Sequence, residues 1–198
     1  MSGKLRIVLT FSLSILILLI VGAYAYQSTR QSEQSSEWVN HTNQVIHEAQ
    51  SILLYVGNIE TAQRGYVITG KSKFLEPYKN GLEELPHVYA RLLELVHDNP
   101  SQGKLLAEIN HSLDRKRAFA SRVIATREKL GFEAAQDLVE SGEGESLMNE
   151  LRVLLDQFIE NEENYLSKRL HDSGQKFIKS ANIILLSVCS AILFVIIT

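Results

Sequence analysis

The chain has 198 residues, 45% of them hydrophobic, a formal net charge of -3 and a single cysteine. That is long enough for one domain with its own core, and the near-neutral charge balance gives no reason to invoke nucleic acid as a partner. One cysteine excludes an internal disulfide and a cysteine-built metal site, so whatever folds must be held by packing.

Residues 1–6, which include Lys4 and Arg6, precede an uncharged apolar run from Ile7 to Tyr26. At about twenty residues this run has the length a helix needs to cross the hydrocarbon of a bilayer. A cleaved signal peptide is the alternative, since Ala23-Tyr24-Ala25 has the small-x-small form of a cleavage site. The run exceeds a usual signal core and helical patterning resumes after it, which favours an uncleaved anchor. The basic residues ahead of it favour a cytoplasmic N terminus, with residues 27–178 outside. Lys168, Arg169, Lys176 and Lys179 on the outer flank of the second run pull against that orientation, although long domains translocate largely regardless of charge.

From Trp38, the positions Trp38, Thr42, Val45, Ala49, Ile52, Val56, Ile59, Gln63 and Tyr66 alternate steps of four and three, which keeps one helical stripe facing its partners. This predicts a first long helix continuous with the apolar run. Gly70 stops it, glycine being the residue that takes a left-handed cap without strain. Ser72 is placed to cap a second helix, with Pro77 in its opening turns and a seam of Leu75, Tyr78, Leu82, Leu85, Tyr89, Leu92 and Val96. Pro86 should kink it.

Asn99-Pro100-Ser101-Gln102 reads as a third helix start, with Asn99 as cap, Pro100 at the first helical position and Gln102 reaching back to the cap amide. Its seam is Leu106, Ile109, Leu113, Lys116, Ala120, Val123, Arg127 and Leu130; Gly131 ends it, and Phe132 to Val139 forms a short helical piece. Ser141-Gly142-Glu143-Gly144 reads as a flexible turn before a fourth helix marked by Leu147, Leu151, Leu154, Phe158 and Tyr165. That helix leads into a second apolar run over residues 180–198, the second span. No stretch alternates with period two. The fold expected is all-α, an elongated up-down-up-down four-helix bundle continuous with two transmembrane helices.

The candidate site is polar. Glu60, Gln63, Arg64, Tyr66 and Tyr78 fall in or beside apolar seams, so they cannot all be solvated. One reading is structural, an ion pair between Glu60 and Arg64 at the i, i+4 spacing with hydrogen bonds from Gln63 and Tyr66 across the bundle. The other is a polar ligand pocket. Gly65 beside them predicts close approach by another helix. Gly70, Asn99, Pro100, Gln102, Gly142 and Gly144 are cap and turn residues. No two of the six histidines have an i, i+4 metal-ligand spacing, and none stands in a phosphoacceptor setting. There is no P-loop, dinucleotide fingerprint, G-x-S-x-G or H-E-x-x-H, so no catalytic residue, metal ligand or cofactor is assigned.

Five segments carry a family resemblance: Trp38 to Thr42, Glu60 to Gly70, Phe74 to Tyr78, Asp98 to Gln102 and Gly142 to Arg152. In that order they resemble the third type of CHASE domain over nearly the whole region between the spans. The resemblance implies an extracytoplasmic sensory domain of a bacterial receptor in the inner membrane, placed ahead of a histidine kinase, diguanylate cyclase or chemoreceptor output. It implies no known ligand and brings no catalytic residue. The expected partners are the lipid bilayer, a second copy of the chain as a homodimer, and an unidentified small-molecule or protein stimulus. An output domain is expected beyond residue 198, the alternative being a stand-alone membrane-anchored scaffold that binds a partner.

Overall fold

The computed structural model describes residues 3–197; Met1, Ser2 and Thr198, assigned above to the N-terminal segment and the end of the second span, lie outside the described residues. The described chain is helical, with no strand among the described residues. Its elements are α1 (Gly3–Thr69), a 3-10 turn (Ser72–Leu75), α2 (Glu76–Leu95), α3 (Pro100–Leu130), α4 (Phe132–Glu140) and α5 (Glu143–Ile197).

The chain divides into two compact units. One is built from its two ends, up to Asn40 and from Tyr165 onward. There the Tyr24 and Phe177 rings stack at 5.2 Å, and Gln31 Nε2 donates to the hydroxyl and the carbonyl of Ser173, both at 2.7 Å. Arg169 lies over the rings of Tyr165 and Trp38. The α1 segment of this unit carries the one helix among the described residues that is long and apolar enough to cross a membrane, with a mean hydropathy of 1.7.

The other unit, His41–Asn164, is the bundle. Cross-helix pairs fix its topology. Thr42 of α1 meets Glu162 of α5, while Glu60 of α1 meets Lys116 of α3. Glu48 of α1 takes a two-pronged bond from Arg91 of α2 at 3.0 Å, and Ile59 of α1 faces Gly81. Rising numbers on α1 therefore match falling numbers on α2 and α5 and rising numbers on α3, the up-down-up-down order expected.

The core follows the four-three rhythm. Val45, Ala49, Ile52, Val56 and Ile59 of α1 close on Leu85, Val88 and Leu92 of α2, Leu106, Ile109, Leu113 and Ala120 of α3, and Met148, Leu151, Leu155 and Phe158 of α5. Each buried Val, Leu, Ile, Met or Phe among them contributes about 1.5–3 kcal/mol relative to an exposed one. α4 adds a second cluster in which Ala135 lies against Val67, Phe119, Val123 and Leu147.

Several seam assignments shift. On α2 the innermost positions include Gly81 and Val88, while Tyr78, Leu82 and Tyr89 pack at the margin. On α5 Leu155 is buried and Leu154 marginal, and the stripe ends in Glu162 rather than in Tyr165, which is exposed. Leu130 is exposed at the end of α3. Ser72 does not cap α2: it opens the 3-10 turn, and Leu75 holds the cap position. α2 continues through Pro86, which is exposed.

Candidate functional site

Two buried polar clusters interrupt the apolar core, each linking several helices. The first centres on Glu60, a carboxylate left largely buried because its position flanks the α1 stripe. Arg64, one turn on, donates to its Oε1 at 2.5 Å, and Lys116 of α3 donates to its Oε2 at 2.8 Å. Lys116 occupies an a/d-type position and is only 1% exposed, so its ammonium must be satisfied inside the bundle. It does so by bridging: Nζ also donates to the carbonyl of Gly144 at 2.6 Å. α1, α3 and the start of α5 are thus joined through one lysine, around a small cavity of about 50 Å³ also lined by Gln63 and Glu145.

Gly144 belongs to the first turn of α5 and not to a flexible turn. A Cβ there would lie 2.6 Å from the Phe119 ring, so glycine is what lets α5 begin against α3. The turn itself is made by Gly142, whose φ of 77° favours glycine.

The second cluster centres on Glu162 of α5, which is 4% exposed. Thr42 donates to its Oε1 at 3.0 Å and Gln102 Nε2 to its Oε2 at 3.3 Å. His41 Nδ1 stands 3.8 Å from the same carboxylate, while its Nε2 meets the carbonyl of Leu95 at 3.0 Å. One carboxylate therefore gathers α1 and α3, and His41 adds the C-terminal end of α2. Gln102 does not close a capping box. It points inward, 1% exposed, and also donates to the carbonyl of Phe158 at 3.0 Å, because its place on the α3 stripe faces α5. The cap is supplied by Asn99 alone, whose Oδ1 accepts from the Gln102 amide at 3.4 Å, with Pro100 following it as predicted.

The structure brings Glu60, Gln63 and Arg64 together and separates Tyr66 and Tyr78 from them. Tyr66 reaches Glu128 at 3.4 Å and packs with Leu75, Ile124 and Tyr78 in a cluster of its own. Burial, and next the Glu128 carboxylate, raise its phenol above the ordinary 10.0. Gly70 caps α1 with a φ of 63°, its amide bonded to the Tyr66 carbonyl. Gly65 is approached by the Phe74 ring of the 3-10 turn rather than by a helix. Sequence reading missed His41, Thr42, Lys116 and Glu162 as site residues. The signal was present for two of them, since Lys116 and Glu162 are charges on otherwise apolar four-three stripes.

Residues 35–172 match the family model described as the CHASE3 domain. Among solved structures, the crystal structure of the Rhodopseudomonas palustris histidine kinase HK9 sensor domain superposes with a TM-score of 0.60. It is 23% identical, and the match covers 64% of this chain and 98% of that one, a likeness of fold alone. No curated protein matches this chain.

Proposed function

This chain belongs to the CHASE3 family of sensory domains, and from that premise we propose that it is the membrane-anchored input of a bacterial receptor, outside the cytoplasm, with a histidine kinase as its output. The observation that carries this reading is the continuity of two helices. α1 runs unbroken from the apolar residues near the N terminus through the core stripe to Thr69, and α5 runs unbroken from Glu143 to Ile197. A helix without a break passes a displacement along its axis. A stimulus that biases two packings of the bundle would move α5 against α1 by about 1–2 Å, an ordinary size for helix shifts in signalling.

The two polar clusters suit such a role. Both tie α1 to α5 through charges that leave few alternative arrangements, so the bundle has defined states rather than a continuum. The chain itself performs no catalysis in this reading. It works as a homodimer in the bilayer, as paired outputs require.

The test is sidedness. Lys104→Cys places a thiol on the exposed surface of the bundle, in a Cys189→Ser background. A membrane-impermeant maleimide should label it in intact spheroplasts. Labelling only after lysis would overturn an extracytoplasmic sensor.

A further inference from the structure

Beside the Glu60 cluster lies a second, larger groove of about 400 Å³, between the end of α1 and α4. Its walls are Val67, Ile68, Phe132 and Val139, and its polar lining is Arg64, Gln136 and Glu140. We propose that this groove binds a free α-amino acid with an apolar side chain; the inference rests on reading the chain as a sensory input and names the class of stimulus.

The groove has the volume of a small-molecule pocket and the composition of one, apolar walls with a few polar groups. The charges decide the class. A fatty carboxylate would satisfy Arg64 and be opposed by Glu140; an apolar amine would do the reverse. A zwitterion satisfies both. Gln136 Nε2 donates to one Glu140 oxygen at 2.6 Å, which orients that carboxylate and leaves its other oxygen to accept an ammonium. Arg64 engages Glu60 through Nη2, and its side chain is 55% exposed, so it can turn from Glu60 to a ligand carboxylate. Arg127 steadies the apolar wall, with Nε bonded to the Val67 carbonyl at 2.8 Å and its guanidinium over the Phe132 ring.

Arg64 and Val139 also line the smaller cavity that holds Glu60 and Lys116. A ligand carboxylate on Arg64 therefore competes with Glu60 for it. Glu60 is left to Lys116, the residue that holds the Gly144 carbonyl at the start of α5. Occupancy of the groove is in this way reported to the helix that carries the output.

Isothermal titration calorimetry on the full chain in detergent micelles tests this, with leucine and phenylalanine as probes. Isocaproate, which lacks the ammonium, and isoamylamine, which lacks the carboxylate, are the comparators. We expect saturable heats for at least one amino acid. Each comparator, and leucine with Glu140→Gln, should bind at least about tenfold more weakly, the worth of one charge-assisted hydrogen bond. Three results would overturn the proposal: no saturable heat with either amino acid, isocaproate or isoamylamine binding as tightly as leucine, or leucine binding unchanged by Glu140→Gln. None of these touches the sidedness result, so a failed ligand class and a failed sensor reading are told apart.

Discussion

Lys116 is a charge the bundle has enclosed, and its energetics depend on its partners. Replacing it by methionine keeps the packing volume but leaves the Glu60 carboxylate with Arg64 alone and the Gly144 carbonyl without its donor. Loss of a buried partner of this kind should cost about 3–5 kcal/mol. Urea unfolding of the full chain in micelles measures it. Adding Glu60→Leu should restore part of that loss, because the carboxylate that has lost its buried partner is then gone as well. Two simply additive losses would show that the pair is not coupled. Tyr66 gives a pH signature. Its phenol is raised in the folded state, so the folded chain holds its proton more tightly than the unfolded chain. The stabilisation is therefore complete below the ordinary value near 10.0 and lost as pH rises through the folded value. Tyr66→Phe should flatten the fall of the melting temperature above that pH and leave its profile at neutral pH unchanged in shape.

At the scale of the element, glycines separate close approach from mere flexibility. A Cβ at Gly81 would stand 2.7 Å from Ile59 Cγ1 and 3.2 Å from the Tyr55 carbonyl, where backbone cannot give way. Gly81→Ala should therefore lower stability by about 1–3 kcal/mol despite alanine's better helix propensity. Gly57, on the same α1, has open space around its Cβ. Gly57→Ala should raise stability by about 0.5–1 kcal/mol. Thermal melts of the two variants side by side decide this, and a shared sign would contradict it. The same residues show what could be read in advance. Helix number, order and ends followed from the Gly70, Asn99-Pro100 and Gly131 signals, because caps act within a few residues. Seams were displaced by a position where two neighbours were equally apolar, as with Leu154 and Leu155, and a stripe was misjudged where glycine replaced a side chain, as at Gly81. The Glu60 to Arg64 pair was legible because it is local to one helix. The bonds from Lys116 to Gly144 and from Gln102 to Glu162 were not, because they depend on which helices become neighbours.

For the whole molecule, the claim is that the state of the bundle is transmitted along α1 and α5. The two ends of the chain meet where Gln31 bonds Ser173, within their own compact unit. Breaking the Glu60 cluster in the bundle should therefore change how those two positions encounter each other. The most direct measurement is the rate of disulfide formation between Gln31→Cys and Ser173→Cys in membranes, in a Cys189→Ser background, with and without Lys116→Met. Transmission predicts a clear change of rate in the Lys116→Met chain while the bundle remains folded. Identical rates in a folded bundle would contradict it.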